Sequence, residues 1–239
     1  MDEAVGVQSY TYRRFSALGS LEQAQRAGVV AIEVWPGHLG PDAAEAAIAS
    51  YQQTAQMAGI RVVGYGVIQL GSGAEPALRL AARLGCSYVS VDVEPGDTSA
   101  IASGVHLANE LGLRLGIHNH GPGHHYSTVD TVLAVLDHQD AALGACVDTG
   151  HFLRAGQDPV AAIHALGSRI SGVHLKDFLE DDTEVLPGRG RIDLVTVLRA
   201  LRDVGFNDPV VIEYEADPGN PTPAVRASST AVHAAMARI

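Results

Sequence analysis

Short apolar runs alternate with longer Ala- and Leu-rich stretches along the whole chain. Eight runs stand out, at residues 5–10, 29–35, 60–65, 88–93, 113–118, 143–148, 170–175 and 210–213. They are rich in Val and Ile and are bounded by Gly, Pro, Asn or Asp. Such runs suit parallel strands buried on both faces. The stretches between them carry helical patterns at residues 41–57, 74–84, 100–111, 129–136, 159–166, 194–204 and 223–237. Three of these share one ending: Ala58-Gly59-Ile60, Leu84-Gly85-Cys86 and Leu111-Gly112-Leu113. A glycine there closes the helix in the left-handed conformation and hands the chain directly to the next strand.

Eight strands alternating with helices predict a single (β/α)8 TIM barrel, one domain over residues 1–239. The rival is an open doubly wound sheet, which carries a Gly-rich phosphate turn after its first strand. Here that strand runs into Gln8-Ser9-Tyr10-Thr11-Tyr12, without such glycines. Charge narrows the partners. With 16 Lys+Arg against 27 Asp+Glu, the net charge of −11 repels nucleic-acid backbones and anionic membrane surfaces. No apolar run approaches the ~20 residues of a membrane span. The start, Met1-Asp2-Glu3, lacks the basic and apolar regions of a signal peptide. Cys86 and Cys146 sit in apolar runs and read as reduced core thiols, in keeping with a cytoplasmic protein.

A barrel places its active site at the C-terminal ends of the strands. Four successive runs end there in reactive side chains: His118-Asn119-His120, Asp148-Thr149-Gly150-His151, His174-Leu175-Lys176-Asp177, and Glu213-Tyr214-Glu215. Strands alternate their faces, so His118 shares one with His120, and His174 shares one with Lys176. Neighbouring strands lie ~4.8 Å apart, so one inward residue from each can converge on a single ion. Taken singly, each residue has a plain reading: a solvated His118, a turn-capping Asp148, a core His174. Glu213 is harder to dismiss, because it follows Val-Val-Ile in a run that should be buried, and a buried carboxylate needs a partner or a metal. Together His118 (or His120), Asp148, His174 and Glu213 predict a divalent metal site. Mixed imidazole and carboxylate donors suit Mn²⁺, Zn²⁺, Co²⁺ or Fe²⁺ better than Ca²⁺.

On these motifs the chain resembles the sugar phosphate isomerase/epimerase family, the xylose isomerase-like TIM barrels. The resemblance covers nearly the whole chain: Gly6-Val7-Gln8-Ser9-Tyr10, Ile32-Glu33, Asp148-Thr149-Gly150-His151, Val173-His174-Leu175-Lys176-Asp177, Gly188-Arg189-Gly190-Arg191-Ile192-Asp193 and Val211-Ile212-Glu213. Its specific part is the ordered pair Asp-Thr-Gly-His and His-Leu-Lys-Asp. The family includes ketose 3-epimerases, hydroxypyruvate isomerase, 2-keto-myo-inositol dehydratase, dehydroshikimate dehydratase and, distantly, endonuclease IV. The resemblance implies one divalent metal, with Mn²⁺ expected and Zn²⁺, Co²⁺, Fe²⁺ or Mg²⁺ as alternatives. It carries ligand roles to Asp148, His174 and Glu213, and a substrate-binding role to His151. At the fifth strand many relatives have Glu where this chain has His118, so a symmetric two-glutamate epimerisation is in doubt. The His-x-His pattern looks more like the inositol dehydratase branch.

The resulting expectation is an isomerase or epimerase acting on a keto-sugar or related polyol through an enediolate. Glu213 would be the general base, with His120 or His151 on the other side of the substrate. A dehydratase (lyase) on the same site is the alternative, and a non-catalytic sugar-binding barrel is a remote one. The net charge argues against a nuclease and favours a neutral carbohydrate substrate. Glu33, Trp35, Lys176 and Arg191 are expected at the substrate. Trp35 could stack on a sugar ring or fill a gap under a loop, and Lys176 could bind a phosphate or hydroxyl or pair with Asp177. The 187–191 loop could hold an anion at a helix start, although Asp193 after it reads as a plain helix N-cap. Residues 121–125 form a Gly-rich loop, a candidate lid in which His124 and His125 are expected to be solvated. The Glu180-Asp181-Asp182 run reads as exposed, and a homo-oligomer is left open.

Overall fold

All eight apolar runs become strands, and the strands close on themselves. In the computed structural model, which describes residues 4–239, these are β1 (Val5–Gln8), β2 (Ala31–Val34), β3 (Arg61–Leu70), β4 (Tyr88–Val93), β5 (Arg114–His118), β6 (Leu143–Asp148), β7 (Ile170–Leu175) and, after a short hairpin, β10 (Val210–Ile212). Neighbours pair in parallel in the order β1-β10-β7-β6-β5-β4-β3-β2, and the order is closed. Met1, Asp2 and Glu3, on which the signal-peptide reading rests, lie outside the described residues. The hairpin is an antiparallel pair, β8 (Asp177–Phe178) with β9 (Glu184–Val185).

The helices are α1 (Ala17–Ala27), α2 (Glu45–Ala58), α3 (Glu75–Leu84), α4 (Thr98–Leu111), α5 (Val129–Leu136), α6 (Thr149–Arg154), α7 (Pro159–Leu166), α8 (Leu194–Asp203) and α9 (Thr222–Met236). The three glycine endings have one geometry. Gly59, Gly85 and Gly112 adopt φ of 69°, 82° and 68°. The next N–H returns to the carbonyl five residues back: Ile60 to Ala55 at 2.9 Å, Cys86 to Ala81 at 3.0 Å and Leu113 to Ala108 at 2.9 Å. Each helix thus satisfies its last carbonyls while aiming the chain at the barrel. Cys86 and Cys146 are free and buried.

Several elements depart from the sequence expectation: helix α6 and the β8–β9 hairpin have no counterpart there, β3 runs on to Leu70, and two further departures have a clear local cause. Helix α1 has no counterpart there. Its stretch, Ala-Leu-Gly-Ser-Leu-Glu-Gln-Ala-Gln-Arg-Ala, carries a glycine in its first turn and few large apolar residues. It is held instead by its ends, with Ser16 Oγ accepting from Gly19 N at 3.1 Å and Gly28 at φ 78° closing the C-terminus. The first strand stops at Gln8, because its side chain accepts the Tyr10 N–H at 3.1 Å and turns the chain into a short 3₁₀ segment, Ser9–Tyr12.

Inside the barrel one large side chain sets the height of the site. Tyr88 is fully buried and its ring crosses the interior between β3 and β7. A Cβ on Gly64 would lie 2.6 Å from that ring, and one on Gly172 2.4 Å, so both positions must lack a side chain. The phenol then reaches the carboxylate of Glu33 on β2.

Candidate metal centre

His118, Asp148, His174 and Glu213 converge at the C-terminal mouth of the barrel, each offering a ligand atom within 4.8 Å of the others. The register brings this about: Asp148 lies opposite His174, and Val211, two residues before Glu213, lies opposite His174 on its other side. His118 Nε2 is 3.1 Å from His174 Nδ1 and 4.0 Å from Asp148 Oδ2, and His174 Nδ1 is 3.2 Å from Glu213 Oε2. The structure thus puts His118, rather than His120, within reach of the other three.

Asp148 divides its two oxygens between structure and chemistry. Oδ1 caps α6 by accepting the His151 N–H at 2.8 Å. Its backbone is clamped to β5 by Asn119, which accepts from Asp148 N at 2.7 Å and donates to Asp148 O at 2.9 Å. Oδ2 is buried and has no hydrogen-bond partner, and the residue is 0% exposed. An unpaired buried carboxylate oxygen costs several kcal/mol unless something positive meets it. His118 Nδ1 is likewise buried and unpartnered. Burial, aided by the neighbouring histidines 174, 120 and 151, pushes the His118 imidazole well below the ordinary histidine value, toward the neutral form that ligates metals. These orphaned and neutral donors fit a divalent cation.

Glu33, expected at the substrate, sits beneath the site instead. It is 0% exposed. It receives hydrogen bonds from Tyr88 and from Ser90 Oγ, the latter at 2.5 Å, and lies 2.7 Å from His174 Nε2. It therefore orients the ring whose Nδ1 faces the other ligands, as outer carboxylates do for metal-bound histidines. Glu33→Gln is expected to weaken divalent-cation affinity about 10–100-fold without unfolding the protein, read by isothermal titration of the metal-free protein with Mn²⁺. Below the ligands, the Cys146 thiol is close enough to His118 and His174 to make a three-donor set of its own, which the sequence reading did not include. Burial pushes its pKa up to about 11, so it stays a neutral floor.

Lys176 is 1% exposed, and its ammonium is taken by carboxylates further along the chain rather than by Asp177. Its Nζ contacts the Glu215 carboxylate and lies 3.5 Å from Glu213 Oε2. Burial works against its charge, but Glu213, Asp148 and Glu215 outweigh it and hold the ammonium protonated. For Glu213, burial alone would raise the pKa; Lys176 and His174 overcome it and keep the carboxyl well below the usual range. The hairpin reaches in here too, with Glu184 accepting the Glu215 N–H at 2.9 Å. Burial pushes Glu184 up from 4.5 to about 7. A raised carboxyl contributes stability that is complete below the ordinary value and is lost as pH rises through the folded one. Relative to wild type, Glu184→Gln should therefore gain about 1–2 kcal/mol between roughly pH 5 and pH 9, after discounting for partial exposure. Urea unfolding in EDTA at both pH values reads this gain.

Above the ligands lies a cavity of about 330 Å³, lined by Gln8, Tyr10, Trp35, the 66–67 backbone, His118, His120, His151, Glu213 and Glu215. Larger hollows occur between outer helices, such as that of about 430 Å³ around Leu133 and Arg169, but none of them contains the convergent donors. The Trp35 backbone N–H donates to Ser9 Oγ at 2.7 Å, and its ring meets Tyr10 edge-on, their centroids 5.1 Å apart. His151 Nε2 points to Asp148 Oδ2 at 3.9 Å, while its Nδ1 is buried and unpartnered. Arg191 is not part of this lining. It donates to Phe178 O and pairs with Asp182 at 3.4 Å.

The 187–191 loop does form a cradle of amides, which is filled from within, and Asp193 caps α8 as read from the sequence, accepting the Thr196 N–H at 2.8 Å. Asp177 accepts N–H bonds from Gly188 and Gly190 on Oδ2 (2.9 and 2.8 Å) and from Phe178, Arg191 and Ile192 on Oδ1 (2.9, 2.9 and 3.2 Å). Of the two histidines expected in solvent, both are exposed, yet the His124 ring turns back onto His120, their centroids 4.2 Å apart.

The closed parallel barrel has known relatives. Residues 21–233 match the xylose isomerase-like TIM barrel family, and the chain belongs to it. Inosose dehydratase of Geobacillus kaustophilus (strain HTA426) is 32% identical over 132 residues, covering 47% of this chain and 42% of that protein. The match thus spans less than half the length of that curated relative. A xylose isomerase domain protein from Alicyclobacillus acidocaldarius superposes with TM-score 0.76 at 23% identity, over 98% of each chain. D-psicose 3-epimerase with D-tagatose from Clostridium cellulolyticum H10 gives 0.74 at 18%, over 98% of this chain and 97% of that one. These two likenesses are likenesses of fold. Among the described residues, no helix is long and apolar enough to cross a membrane.

Proposed function

We propose that this chain is a metal-dependent dehydratase of a neutral keto-polyol of the inosose type, working by proton abstraction next to a ketone. The observation that carries this reading is the asymmetry of the cavity. A carboxylate, Glu213, stands beside the buried ammonium of Lys176, while imidazoles occupy the wall where a second glutamate would serve a symmetric epimerase. A divalent cation, Mn²⁺ foremost, held by His118, Asp148, His174 and Glu213 would supply a Lewis acid for the substrate carbonyl oxygen.

The protein side chains do the rest. Lys176 keeps Glu213 ionised, so it is ready as a base at neutral pH. Glu213 takes the proton from the carbon beside the ketone, and the C–H electron pair moves into the carbonyl as an enolate. When the enolate re-forms the ketone, the hydroxyl on the next carbon is expelled. His151 gives that hydroxyl a proton, so water leaves and a conjugated double bond remains. Tyr10 and Trp35 form an apolar wall for the ring. Among the described residues no Lys or Arg lines the cavity, two carboxylates do, and the nearby amide cradle is taken by Asp177; all three disfavour a phosphorylated substrate.

The test is incubation of the Mn²⁺-loaded protein with a panel of inososes and free keto-sugars in deuterium oxide, followed by proton NMR. The expected result is loss of an α-proton with appearance of a dehydrated product. Exchange without loss of water would instead assign epimerisation or isomerisation, since the same imidazole wall can return a proton to carbon. No exchange with any neutral compound overturns the reading.

A further inference from the structure

We propose that Asp92, His120 and His124 form a second divalent-cation site on the rim of the barrel, separate from the four-ligand centre and suited to zinc-like ions. The three residues come from different places in the chain. Asp92 is at the end of β4, His120 follows β5, and His124 is in the turn beyond it. Their ligand atoms nevertheless lie within 4.8 Å of one another.

Local bonds hold each residue in place. Asp92 uses Oδ1 to accept the Val93 N–H at 2.9 Å, leaving Oδ2 facing His120 Nε2 at 3.7 Å. Tetrahedral zinc with bonds of about 2.0–2.2 Å sets its ligands about 3.4 Å apart, close to that separation. His120 is pinned by its own N–H to Tyr126 O at 3.0 Å, and the turn is closed by His124 N to Gly121 O at 3.3 Å. Buried Tyr126 anchors this loop, so the exposed His124 ring is not needed to hold it. That ring, though exposed, packs against His120.

The donor sets differ in kind. The deep centre has two carboxylates and two imidazoles; the rim has one carboxylate and two imidazoles, open to water. Imidazole-rich sites select Zn²⁺, Cu²⁺ or Ni²⁺ over Mn²⁺ or Mg²⁺. His120 also lines the cavity, so an ion on the rim would tie up a side chain that faces substrate. Excess zinc should therefore inhibit the enzyme; this last step rests on the proposed dehydratase reading, whereas the binding itself does not.

Equilibrium dialysis of the metal-free protein against Zn²⁺ tests the site. Wild type is expected to bind two ions per chain, with His124→Ala and Asp92→Asn each binding one, and Asp148→Asn keeping the rim ion while losing the deep one. One ion in wild type that Asp148→Asn abolishes would overturn the rim site and leave the proposed function standing, as would two ions in both His124→Ala and Asp92→Asn. One ion that only the rim variants abolish would support the rim site and sink the deep centre. In turnover assays, tenfold excess Zn²⁺ should inhibit wild type at least several-fold and leave His124→Ala unaffected; equal inhibition of both removes the regulatory part.

Discussion

Glu213→Gln is expected to lower α-proton exchange about 10²–10⁴-fold, the range that a positioned general base supplies. The substitution keeps the side chain's size and its place after β10, where Glu213 N donates to Leu175 O at 3.2 Å, so the barrel should fold normally. Two effects must be separated, because Glu213 is both a proposed ligand and the proposed base. Bound Mn²⁺ should therefore be measured at saturation. A variant that holds its ion and its substrate but does not exchange isolates the base. If exchange persists within about tenfold of wild type, the base lies elsewhere, and Glu215, also at the cavity, is next.

Lys176→Met is expected to destabilise the metal-free protein by about 3 kcal/mol, because removing one member of a buried charge cluster leaves its partners uncompensated. Glu213 is almost wholly buried and Glu215 only partly, so the lower end of the usual 3–5 kcal/mol applies. At this chain length that corresponds to roughly 6–12 °C in melting temperature. Much of the loss should return on adding Mn²⁺, which restores a positive partner for Glu213. It should also return partly in the double variant with Glu215→Gln. A variant as stable as wild type without metal would mean that water, rather than Lys176, solvates these carboxylates.

The barrel was legible because strands buried on both faces have no polar alternation to hide them, and because glycines mark where three helices stop. The convergence of His118, Asp148, His174 and Glu213 followed from that rhythm, since a strand end is a fixed height in a barrel. What stayed hidden depended on contacts that no local pattern carries. Glu33 serves His174 from 141 residues away, across the barrel, so its role as an orienting group is invisible along the chain. Lys176 turns from its neighbour Asp177 because adjacent strand residues face opposite ways, and finds Glu215 39 residues on. The 187–191 loop did have the amides of an anion cradle, but sequence alone does not show that Asp177 curls back to fill it. Helix α1 is faint in the sequence because its buried face is made of small residues, Ser20, Ala24 and Ala27, around the single large Leu21.

The split duty of Asp148 makes it a separation-of-function position. Asparagine keeps the oxygen that starts α6 and gives up only the charge, so Asp148→Asn should yield a folded, metal-poor protein. Alanine removes both, and costs about 1 kcal/mol of helix capping besides. Glutamate retains the charge but adds a methylene, which moves the carboxylate off either the helix or the ion. A position read by two independent requirements tolerates fewer replacements than a ligand or a cap alone. Sequence drift at the mouth of this barrel should therefore be freest at the rim and most restricted where the scaffold and the chemistry share one carboxylate.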